Sequence, residues 1–150
     1  MSLKKRIEKK KAVVIDRWFN LVTESYQADT QSFLKSNKDP FSNPVRSNTR
    51  RALQGTLDQV LGDMDRDSLI VQLDPAIRIR AVQNFSPAQA VGFIFALKRV
   101  IRDLAGVGIK EGLSAPGPVS ELLELEARVD QVALVAMDIY MACREKIYSL

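Results

Sequence analysis

The chain has 150 residues, 46% of them hydrophobic and 27% charged, which fits one globular domain with its own core and excludes wholesale disorder. Net charge is +4, and the excess sits at the start, where Lys4, Lys5, Arg6, Lys9, Lys10 and Lys11 face Glu8 alone. The single cysteine, Cys143, excludes an internal disulfide, and no stretch approaches the roughly 20 apolar residues of a membrane span.

The basic start reads as a solvated helical turn or two, so neither nucleic acid nor a membrane surface is an expected partner. It has no apolar run and small-residue cleavage site behind it, so it is no secretory signal, and a cytoplasmic setting is expected. From Leu3 to Glu24, Ile7, Val14, Ile15, Trp18, Phe19 and Val22 recur at helical steps, with Trp18 and Phe19 as core anchors. Asp29 or Thr30 opens a short helix carrying Phe33 and Leu34, and residues 36–44 form a loop. Asn43-Pro44 is a cap followed by a first-turn proline. The helix it opens holds Val45, Leu53, Leu57, Val60 and Leu61 and stops at Gly62, read as a left-handed terminator.

A short helix is expected from Asp67 to Leu73. A new one should open at Asp74-Pro75 and run to Asn84 with Ile77, Ile79 and Val82. Ser86-Pro87-Ala88-Gln89 is a capping box. Residues 90–97 are apolar on every side and should be buried all round, with Gly92 admitting a neighbouring helix. Beyond them Lys98, Arg99 and Arg102 face outward and Val100, Ile101 and Leu104 inward. Gly106, Gly108, Gly112, Pro116, Gly117 and Pro118 predict a flexible loop over 106–118. The last helix, Pro118 to Tyr148, has no breaker. Its seam of Leu122, Leu125, Val129, Val132, Ala136, Ile139 and Cys143 is the expected contact with a second chain. Leu123, Ala133, Leu134, Tyr140 and Ile147 widen the apolar face, so that one side packs in the bundle. The whole reads as an all-α, single-domain helical bundle with no strand and no repeat.

Histidine is absent, which removes the usual serine and cysteine nucleophile systems, histidine-bound zinc and haem on a proximal histidine. The carboxylate pairs (Glu121 with Glu124 or Glu126, Asp63 with Asp65) lie in polar stretches and read as solvated surface. A non-enzyme without metal or cofactor is expected. Two features suit binding. Arginines cluster as Arg46, Arg50 and Arg51, as Arg78 and Arg80, and as Arg99 and Arg102. They suit small anions or ordinary surface ion pairs. Cys143 is either a small buried hydrophobe or, with cations nearby, a redox-responsive thiol.

The run from Arg78 to Phe93, the opening Arg17-Trp18-Phe19 with Asn43-Pro44-Val45, and the close from Asp138 to Tyr148 resemble the RsbRD N-terminal domain, named for a co-antagonist of the RsbT kinase. The resemblance implies a helical sensor akin to the haem-free, globin-like domains of stressosome proteins. Such domains dimerise and pass a signal along a C-terminal helix, with a kinase or STAS-type protein as regulatory partner. No output domain follows in this chain, so either the sequence is truncated or it is a free-standing relative acting on a partner protein. Similar free-standing domains in anaerobic, sulfur-respiring bacteria imply an accessory role in respiration. The expected function is a homodimeric regulatory module. The alternative is a module binding a small anion or apolar metabolite, with Arg78, Arg80, Gln83, Phe85 and Arg46 as its candidate residues.

Overall fold

The computed structural model describes residues 2–26, 28–111 and 116–149, and the side chains of these apart from 107–118. Every regular element among the described residues is helical: α1 (Leu3–Lys9), α2 (Lys11–Thr23), α3 (Ala28–Ser36), α4 (Pro44–Leu61), α5 (Arg66–Val82), α6 (Pro87–Val91), one 3-10 turn (Gly92–Ile94), α7 (Ala96–Glu111) and α8 (Pro116–Tyr148). The all-α expectation is met.

α8 is the spine, 33 residues and roughly 50 Å long. It packs along α5 and α7 and also touches α1, α4 and α6, while α2 lies against both α4 and α7. One continuous core joins these helices, with Trp18, Leu53, Leu73, Ile77, Leu97 and Ile101 sealed from solvent. Six seam residues, Leu122, Leu125, Val129, Val132, Ala136 and Ile139, are buried in that same core, and Cys143 is half-buried. The stripe expected to meet a second chain is thus filled by the chain's own helices. An interior bundle helix and a coiled-coil strand ask for nearly the same spacing. The large apolar residues that α8 leaves outside, among those described, are Leu123, Leu134, Met141, Ile147 and Tyr148.

Several local expectations change. The first helix breaks at Lys10 (φ −114°), whose N–H reaches Ile7 O at 3.0 Å. The bend sends α1 to the far end of the bundle, where the Lys4 N–H donates to Glu121 at 2.8 Å, and sends α2 toward α4. Pro75 does not start a helix but lies inside α5. It and Val71, whose carbonyl loses a donor, are both exposed, so water can reach that carbonyl.

Gly62 ends α4, yet its φ is −110°, not left-handed. Arg128 of α8 satisfies the helix end instead, donating to Val60 O at 3.0 Å and to Gly62 O. Gly92 admits no neighbour, since a Cβ there would meet nothing within 4 Å. The close approach is at Gly55 of α4, where a Cβ would collide with the Gln72 side chain of α5.

Nor is the stretch after the capping box buried all round. The 3-10 turn rotates Phe95 outward while Phe93, Ile94 and Leu97 stay inside. The loop expected over 106–118 is helical to Glu111 and again from Pro116; residues 112–115, its centre, lie outside the described residues. Isolated helical glycines cost about 1 kcal/mol each, which packing readily offsets.

Candidate functional site

The site is built where α5 turns into α6. Asn84 has φ 64°, the left-handed conformation that asparagine tolerates best after glycine. Its N–H reaches Ala81 O at 3.3 Å, and the next N–H, of Phe85, reaches Arg80 O at 3.2 Å. This closure is a standard helix stop, and it folds Phe85 back over Arg80. The capping box follows at once. Gln89 N–H donates to Ser86 Oγ at 3.2 Å, and Ser86 N–H donates to Gln89 Oε1 at 3.0 Å. Two helix ends are thereby fixed within ten residues, as the sequence led one to expect for the second of them.

Arg80 is the centre of the site. It is 2% exposed. Its guanidinium carbon lies 4.6 Å from the ring centroid of Phe93, 5.2 Å from Phe85 and 5.6 Å from Tyr26. These ring faces present negative charge density to it. Nη1 donates to Gln89 O at 2.8 Å, and Nη2 has no protein partner. Burial lowers the arginine's pKa from its ordinary value, against an opposing effect of Tyr26. A cleft of about 200 Å³ runs beside it, walled by Leu21, Val22, Ser25, Gly92 and Phe93 among others.

The central and closing sequence motifs meet at this turn, and Trp18 of the opening motif bonds nearby. The Trp18 indole N–H donates to Phe93 O at 2.8 Å in the core. From α8, the Tyr140 hydroxyl donates to Phe85 O, and Arg144 donates to Ala81 O at 3.0 Å. Arg144 also stacks on Tyr148, 4.8 Å from its centroid, and donates to its hydroxyl at 2.7 Å. The turn and the last two helical turns of the spine are therefore one hydrogen-bonded unit.

Of the other candidate ligand residues, Phe85 alone gathers here. Arg78 pairs with Asp74 at 2.9 Å on the opposite side of α5, and Gln83 is an exposed helix cap. Arg46 lies over Phe19, 5.1 Å from its centroid, as does Arg50, and donates to Lys35 O at 3.0 Å. Burial, then Arg50, lowers the Arg46 pKa. Alternation of charged and apolar residues did not separate Arg78 from Arg80. Only the turn that brings Phe85 back does so.

A second concavity, of about 530 Å³, lies between α5 and the end of α8. Ile70, Val82, Ala142, Cys143 and Ile147 form its floor, and Arg66–Asp138 and Arg78–Asp74 ion pairs mark its rim.

Glu126, read from sequence as surface, is buried instead. Arg102 grips both its oxygens, Nε on Oε1 and Nη2 on Oε2 at 3.0 Å, which holds the carboxyl below its ordinary pKa and raises that of Arg102. The sequence carried only a faint signal, since the partner lies on another helix. Glu126 follows the seam residue Leu125, so it starts within reach of the α7 side of the spine.

Residues 12–149 match the family described as the RsbT co-antagonist protein rsbRD N-terminal domain. No curated protein and no solved structure matches the chain. The family match spans nearly the whole sequence, and the chain belongs to that family.

Proposed function

Proceeding from this membership in a regulatory family of the stressosome type, we propose that the chain is a non-catalytic sensor domain that passes a signal to its last helix, and from there to a second copy of itself. The observation that supports this most is the pair of bonds from Tyr140 and Arg144 to the α5–α6 turn. Any shift of Arg80 or Phe85 moves carbonyls that α8 holds. The spine can then carry the displacement along the bundle, because its hydrogen-bonded helix transmits strain.

The groove between α5 and α8 is the contact surface in this reading. Its floor is apolar, with Val82 and Ile147 of that floor exposed, and its rim carries Arg66, Arg78 and Lys146 against Asp74 and Asp138. A rim of both signs suits a two-fold contact, in which each patch meets its own copy reversed. The globin-like arrangement and a cytoplasmic partner of kinase or STAS type belong to the same proposal.

Sedimentation at tens of micromolar tests it. A dimer is expected for the unaltered chain and a monomer with native helicity for Val82→Glu/Ile147→Glu. A monomeric unaltered chain, or a dimer indifferent to both substitutions, overturns the groove as the contact. The second reading, a small-anion or apolar-metabolite module, is favoured specifically by the free Nη2 of Arg80 beside its cleft.

A further inference from the structure

Arginine stays ionised at any physiological pH, and a buried charge is tolerated only when paired or fully hydrogen-bonded. Among the described residues the carboxylates that form ion pairs all pair with other cations, none with Arg80. Two buried side-chain polar atoms among them lack a partner: Thr56 Oγ1, on a neutral rotor, and Arg80 Nη2, on a fixed cation. Arg80, the residue that carries the second, also lines a cleft. We propose that Arg80 and this cleft form a binding site for a small monocarboxylate, its carboxylate accepting from Nη2 and its short apolar tail lying against Leu21, Val22 and Phe93.

Size, charge and wall chemistry each narrow the ligand. At about 200 Å³ the cleft suits a small ligand. One guanidinium with one uncommitted Nη2 balances one negative charge. Arg80 is the cation that lines the cleft, and a single positive charge suits a monocarboxylate better than a phosphate or a dicarboxylate. Apolar walls favour a tail over bare formate.

This deepens the anion-binding reading above and supplies an input to the relay, because Phe85, which stacks on Arg80, is also the residue whose carbonyl Tyr140 holds. A monocarboxylate series from formate to hexanoate, with benzoate, is titrated into the full chain at constant ionic strength. Succinate, inorganic phosphate and butyramide serve as controls. Melting temperature and the Arg80 Nε–H resonance are the readouts, since a ligand selective for the native state raises the first. The expected result is saturable stabilisation by a mid-length monocarboxylate, with the resonance moving in step and the controls silent.

Arg80→Met should weaken this roughly 10- to 100-fold, as expected for loss of a charged hydrogen bond, and Arg78→Met should leave it unchanged. If Arg80→Met does not fold, the resonance of the unaltered chain decides alone. Silence across the series, an equal response to phosphate or butyramide, or full binding by a folded Arg80→Met overturns the site. The relay fails separately: a carboxylate that binds but leaves amide exchange at residues 140–148 unchanged keeps the site and removes the transmission.

Discussion

Arg102 on α7 and Arg80 on α5 carry the same cation into opposite surroundings. Arg102 keeps most of its own side chain in water and lends a fork to the buried Glu126, so both oxygens of the carboxylate are satisfied. Arg80 is itself the buried partner. It has ring faces and one carbonyl around it, and a donor to spare. The α7–α8 arrangement is electrostatically closed and belongs to the fold. The α5–α6 arrangement is open, and an open valence in a core is where a ligand changes most.

Replacing each arginine by methionine breaks the comparison most directly. Arg102→Met strands a buried carboxylate and should lower the melting temperature by about 3–8 °C in a thermal melt. The acid side sharpens it. Glu126 has a depressed pKa, so its contribution is full above the ordinary carboxylate range, about pH 4.3, and is lost as pH falls through its lower folded value. Melts from neutral pH into acid should show that decline, and Glu126→Gln should flatten it.

A smaller effect is expected at the joint between the regions. Tyr140→Phe removes the donor to Phe85 O and should destabilise by about 1 kcal/mol in denaturant titration. Amide exchange in the last turns of α8 should rise with it. The smallest change is expected at Arg80 itself. Exchanging an unpaired buried cation for an apolar chain of similar length should alter stability by less than about 1 kcal/mol, or raise it, in the same titration. A large loss there would make Arg80 a structural pillar and erase the contrast.

Much of this was legible in the sequence wherever a local rule decides the outcome. The capping box at Ser86, the Asn43-Pro44 entrance and the Trp18–Phe19 anchors needed no tertiary context, because their partners lie within a turn or two. Pro75, Gly106 and Gly108 misled for the complementary reason. Each weakens a helix by an amount that packing elsewhere overrides, and whether it does depends on which face meets water. The α8 seam misled because period alone cannot say whose helices fill it. Glu126 and Gly55 were illegible because each is defined by one residue on another helix, Arg102 and Gln72. Arg80 was half legible: its residue type and neighbourhood stood out, its isolation from every carboxylate did not.

The lone tryptophan gives the fold an optical property that nobody had to engineer. Its indole is tethered to the carbonyl of Phe93, whose ring covers the Arg80 cation. Emission from this single fluorophore therefore originates one residue away from the open charge, and its wavelength and lifetime should register any rearrangement there without a label.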